Sequence, residues 1–129
     1  MADVFELTVG AAFAAAHNLR GYEGSCERLH GHNWKIDITL RGSKLDKLGM
    51  LVDFRDVKAM VSELLDELDH RYLNEIPAFQ EDNPTTENVA KWLAGQLAKR
   101  LPSHIRVAKV TAWESDNCGA SYLPDDTLP

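Results

Sequence analysis

Residues 4–13, VFELTVGAAF, place Phe5, Leu7, Val9, Ala11 and Phe13 on one parity and Glu6 and Thr8 on the other, the period of a half-buried strand. Residues 30–41, HGHNWKIDITLR, alternate more cleanly, with Trp34, Ile36, Ile38 and Leu40 against Asn33, Lys35, Asp37, Thr39 and Arg41. This predicts a second strand, antiparallel if it returns beside the first. After the polar loop RGSKLDKLG the period changes. Asp53 stands as an N-cap before Val57, Met60, Val61, Leu64, Leu65 and Leu68, spaced by three and four as on an amphipathic helix. A second helix is predicted to begin after Pro84 with Thr85 as its cap, to run through Val89, Trp92, Leu93 and Leu97, and to stop at Pro102. Residues 105–114 and 119–123 read as closing strands, the first with apolar residues on both faces. The predicted order is β-β-α-α-β-β, an α+β arrangement.

A chain of 129 residues with 44% apolar positions is enough for one core, so residues 1–129 are expected to form one domain. Residues 1–50 carry six acidic and six basic side chains, which leaves the whole net charge of −6 to residues 51–129. That balance argues against nucleic acid as a partner. No stretch approaches the roughly 20 apolar residues of a membrane span, and the start, MADVFELTV, lacks the basic and apolar regions of a signal peptide. A cytoplasmic protein is expected, in which Cys26 and Cys118 stay free thiols.

Strand parity then places the histidines. His30 and His32 share the face of Trp34 to Leu40, with Gly31 between them leaving room for close approach. If strand one runs on through Ala14 to Ala16, His17 has the parity of Phe13 and reaches the same end of the sheet. Three neutral imidazoles converging on one point would form a zinc tripod with a fourth position open, the geometry of a catalytic site. Spacing alone equally admits ordinary histidines at strand ends. Cys26, four residues before His30, is either a thiol aimed at the open position or a small buried hydrophobe. Asp69 and His70 are either an oriented proton relay or a polar helix C-terminus. Glu114 has the parity opposite to Trp113 and is either a grip for a guanidine-like heterocycle edge or a solvated strand end.

Together the segments FAAAH, CERLHGHNW, LVDF, LDHRYLN, PTTENVAKWL and WES occur in the order and approximate spacing of the 6-pyruvoyl-tetrahydropterin synthase family, from about Phe5 to Tyr122. The short spacer between Cys26 and HGH resembles the branch containing 6-carboxy-5,6,7,8-tetrahydropterin synthase of queuosine biosynthesis. Animal-type pyruvoyl enzymes have a longer one. The resemblance implies a tunnelling fold, with a four-stranded antiparallel sheet, two helices on one face, and a homohexamer built as a dimer of trimers. The mixed pattern of residues 105–114 would then follow from a sheet edge continuing into a neighbouring subunit.

The resemblance also implies roles. His17, His30 and His32 hold zinc, Cys26 accepts a proton, and Asp69 with His70 forms the relay. Glu114 anchors the pterin and joins the catalytic set, and Thr86 and Glu87 line the pterin pocket. The implied reaction takes 7,8-dihydroneopterin triphosphate to 6-carboxytetrahydropterin with release of acetaldehyde and triphosphate. Arg20, Arg28 and Lys35 are candidate cations for the triphosphate. A pyruvoyl-type synthase shares this site but keeps the carbon chain, and a non-catalytic zinc scaffold would not need Cys26, Asp69 and His70 together. The tail 123–129 lies outside the motifs and is expected to pack loosely.

Overall fold

The computed structural model describes residues 3–21 and 28–124. Cys26 and the end of the tail lie outside the described residues. Strand β1 (Phe5–His17) is followed by β2 (His30–Gly42), helix α1 (Phe54–Asp66), the two-residue β3 (Arg71–Tyr72), two single 3-10 turns, helix α2 (Thr86–Ala98), β4 (Arg106–Ser115) and β5 (Cys118–Tyr122).

The alternation read from the sequence corresponds to the faces of the sheet. In β2, Trp34, Ile36, Ile38 and Leu40 are buried, and together with Val9 and Phe13 of β1 they meet Val57, Val61, Leu64 and Leu65 of α1 and Val89, Leu93 and Leu97 of α2 in one core. Each such side chain contributes about 1.5–3 kcal/mol on leaving water. Both helices start at the anticipated caps. Asp53 Oδ1 accepts from Arg55 N at 2.8 Å and Thr85 Oγ1 accepts from Asn88 N at 3.1 Å, each satisfying a backbone donor at the helix start. Among the described residues no helix is long and apolar enough to cross a membrane.

The expected four-stranded antiparallel sheet and the order β-β-α-α-β-β need correction. The sheet has five strands in the order β3-β1-β2-β4-β5, and β3 pairs parallel to β1 through Ala15 with Arg71 and Ala16 with Tyr72. Its cause lies in the turn after α1, where His70 takes a φ of 58° and sends the chain along the edge of β1. The mixed pattern of β4 also has an explanation within this chain. Thr39 pairs with Lys109 but Leu40 pairs with Val107, so Ala108 is an extra residue on β4. This bulge exchanges the faces: Val107 is buried on one side of it, and Val110 and Ala112 on the other.

Candidate metal centre and proton relay

The register of β1 on β2 runs unbroken from Phe5 opposite Gly42 to His17 opposite His30. It therefore brings His17, His30 and His32 to one end of the core face, over the fully buried indole of Trp34. Glu114 arrives from β4. Trp113 pairs with Gly119 and Ser115 with Cys118, so Glu114 is the extra residue of a second bulge, and its parity is that of buried Val110 and Ala112. Bulges commonly re-aim a side chain beside a functional site. Here Glu114 Oε1 lies 3.0 Å from His17 Nε2, 2.9 Å from His32 Nε2 and 3.9 Å from His30 Nε2.

The far sides of two rings decide what these nitrogens offer. His17 Nδ1 is 2.7 Å from the Pro84 carbonyl and His30 Nδ1 is 2.7 Å from the Arg28 carbonyl. A carbonyl only accepts, so both Nδ1 atoms carry a proton, and in the neutral form of each ring it is the Nε2 lone pair that faces the carboxylate. Lone pair against carboxylate is repulsive unless a proton or a cation intervenes. His32 Nε2, close to Glu114 but without hydrogen-bond geometry, is buried with no hydrogen-bond partner among the described residues. Burial pushes the His32 imidazole below its ordinary pKa, a trend the Glu114 carboxylate opposes and the other two rings reinforce. One ligand atom from each of His17, His30, His32 and Glu114 lies within 4.8 Å of the others. Neutral imidazoles whose second nitrogen is tied to a carbonyl are the donor set that divalent metals such as zinc take.

Asp69 and His70 follow α1 in the turn instead of ending the helix. Asp69 Oδ1 accepts from Ala14 N at 2.9 Å, Oδ2 lies 3.0 Å from His70 Nδ1, and His70 N donates back to the Ala14 carbonyl. The dyad is thus fixed to β1 three residues before His17. The Ala14 amide, and then the His70 ring, hold the Asp69 carboxyl below the usual carboxylate range. His70 itself is 82% exposed and so is open to a bound molecule. A hollow of about 530 Å³ has both His70 and His32 in its lining.

The remaining sequence candidates divide. Thr86 opens α2 two residues after the carbonyl that holds His17, and its hydroxyl donates to Glu87 at 3.1 Å. Arg20 is already engaged, since its Nη2 donates to the Phe79 and Asp82 carbonyls. Lys35 and Arg28 are exposed. Sequence reasoning missed a knot beside the site. The Tyr72 hydroxyl donates to Asn18 Oδ1 at 2.5 Å, and Asn74 bonds both the amide and the carbonyl of Asn18 at 3.0 and 2.8 Å. Asn18 follows His17 and Tyr72 lies two residues beyond His70, so this knot ties the histidine cluster to the segment that carries Asp69 and His70. The burial of Asn74 could not be read from composition.

Residues 6–125 match the family described as 6-pyruvoyl tetrahydropterin synthase. The chain is 38% identical over 109 residues to a dihydroneopterin monophosphate aldolase of Pyrococcus furiosus, covering 84% of this chain and 89% of that protein. It is 36% identical over 91 residues to a 6-carboxy-5,6,7,8-tetrahydropterin synthase of Synechocystis, covering 67% and 69%. Its fold superposes on the Caenorhabditis elegans 6-pyruvoyl tetrahydropterin synthase with a TM-score of 0.84 at 28% identity, over 96% of this chain and 98% of that one.

Proposed function

This chain belongs to the 6-pyruvoyl tetrahydropterin synthase family, and on that premise we propose that it is a zinc-dependent 6-carboxy-5,6,7,8-tetrahydropterin synthase of queuosine biosynthesis. The observation that carries the reading is the hollow shared by His32 and His70, which puts a metal-capable cluster and an oriented imidazole around one space. A zinc ion held by His17, His30 and His32 would supply Lewis acidity toward the hydroxyls of the pterin side chain.

The other steps fall to the chain's own groups. His70, oriented through Nδ1 by Asp69, turns its free nitrogen outward to give or take a proton. Cys26, outside the described residues, takes the carbon-bound proton on the opposite face. Its spacing from HGH is what favours the carboxy branch. Glu114, with Thr86 and Glu87 at the start of α2, holds the pterin. The single tunnelling-fold domain, the cytoplasmic setting and the hexameric assembly belong to the same reading.

The Pyrococcus furiosus relative supports a second reading, an aldolase acting on the pterin monophosphate. Mass spectrometry of the products from dihydroneopterin triphosphate and from the monophosphate separates them. Acetaldehyde, triphosphate and 6-carboxytetrahydropterin from the triphosphate support the first. A product that keeps all the side-chain carbons would make the chain a pyruvoyl-type synthase. An aldehyde that still carries phosphate, formed from the monophosphate, would make it an aldolase.

A further inference from the structure

A phosphorylated substrate must put its anionic end somewhere on a chain whose net charge is −6. Two hollows flank β3 and share His70, Arg71 and Tyr72 in their linings. The one of about 610 Å³ is also lined by Glu67 and Glu75, so it repels an anion. The one of about 530 Å³ contains no carboxylate. Its floor is Ala14, Ala15, Ala16 and Gly31, and its polar side chains are His32, Asn33, His70, Arg71 and Tyr72, the last with its hydroxyl bonded to Asn18. A side chain at Gly31 would meet nothing closer than the Ala15 carbonyl at 3.9 Å, so the floor is open.

Arg71 is the permanent charge of that hollow. It is exposed, and among the described residues it forms no ion pair. His70 is paired through Nδ1 with the Asp69 carboxylate, and His32 faces Glu114. Of the three cations named from the sequence, Arg20 has its guanidinium on two backbone carbonyls, and neither Arg28 nor Lys35 is in the lining of this hollow.

We infer that the Ala-Gly-floored hollow beside β3 is the phosphate subsite and that Arg71 is the residue that recognises the polyphosphate of the substrate. This deepens the proposed function and rests on it for the identity of the substrate. A guanidinium suits the task because it offers a planar fork of donors that grips phosphate oxygens in pairs. With the phosphate on Arg71, the carbons between it and the pterin ring lie alongside His32 and His70, where the proton transfers are proposed.

The test uses zinc-loaded protein with equal metal content in every variant, and inorganic tripolyphosphate as probe. Calorimetry should show Arg71→Ala binding tripolyphosphate about ten- to a hundredfold more weakly than the parent, the weight of a charge-assisted hydrogen bond or two. Arg71→Lys should recover part of the loss. Arg55→Ala, which removes the same charge at the far end of α1, should bind as the parent does. Turnover of dihydroneopterin triphosphate by Arg71→Ala should show a KM raised by a similar factor with kcat within a few-fold, while the Kd of unphosphorylated dihydroneopterin, which lacks the leaving group and serves as a binding probe, stays put. Unchanged tripolyphosphate affinity in Arg71→Ala, or an equal loss in Arg55→Ala, overturns the inference. Tripolyphosphate binding that depends on Arg71, in a protein that does not turn over the triphosphate, would keep the subsite and reject the proposed reaction instead.

Discussion

The Nδ1–H of His17 donates to the carbonyl of Pro84 at 2.7 Å, joining the last residue of β1 to the segment that enters α2. One bond therefore does two things. It leaves His17 Nε2 facing Glu114, and it holds the start of α2, with Thr86 and Glu87 as the proposed pterin contacts, beside the end of β1.

From that donor set follows the metal content. Protein purified without chelators should carry about one zinc ion per chain by elemental analysis, because three neutral imidazoles with a further position match that ion. His30→Ala and His32→Ala should each lose it. Normal metal in both variants would end the tripod reading whatever became of activity.

The Asp69 shift predicts an acid limb. Its carboxyl titrates below the ordinary 3.8 in the folded chain, so as pH falls from about that value the unfolded state binds more protons and stability drops. Above that range the contribution is fully present. Thermal melts between pH 6 and 3 should show Asp69→Asn less stable than the parent at pH 6, with the gap narrowing as acidification protonates the parent's carboxylate. A constant gap would mean that the charge of Asp69 contributes nothing to stability.

The knot between Asn18 and Asn74 makes a different kind of prediction. Asn74→Ala removes two hydrogen bonds to the backbone of Asn18 at a buried position, which should cost roughly 1–3 kcal/mol in urea unfolding. Tyr72→Phe removes a single bond and should cost less. Because Asn18 follows His17, zinc affinity should fall in Asn74→Ala as well. Stability lost with zinc affinity intact would make the knot a purely structural feature.

Much of this was legible because periodicity is a local signal. The parity of Trp34 to Leu40 showed which face of β2 is buried, and Asp53 and Thr85 marked the helix starts. Strand β3 was not legible, since two residues carry no period and their pairing with Ala15 and Ala16 is set by distant chain. The break in β4 could be seen but was attributed to a neighbouring subunit, because the bulge at Ala108 exists only against the register of β2. At the site, strand parity put the three histidines on one face. The bulge that turns Glu114 onto them needed β5 in place, and the knot of Asn18, Tyr72 and Asn74 depends on turns with no sequence signature.

The division of labour between metal, thiol and relay is the last prediction. Cys26 is proposed as a proton acceptor and not as a ligand, and the Glu114 carboxylate lies beside the three imidazoles. Cys26→Ala should then keep its zinc and its pterin affinity while turnover falls by roughly 10²–10⁴, the usual weight of a general base. His70→Ala should lose a similar factor at unchanged metal content, since its side chain is 82% exposed and it is not a proposed ligand. Asp69→Asn should lose less than His70→Ala, because the imidazole remains and only its orientation and charge are weakened. Glu114→Gln differs from all three, for its carboxylate lies against the ligand nitrogens and is proposed to hold the pterin, so substrate affinity should drop with kcat. Zinc analysis beside steady-state kinetics on the four variants reads the whole pattern. If Cys26→Ala loses zinc, the sulfur is a fourth ligand, the centre is closed and structural, and the proposed chemistry fails at its first step.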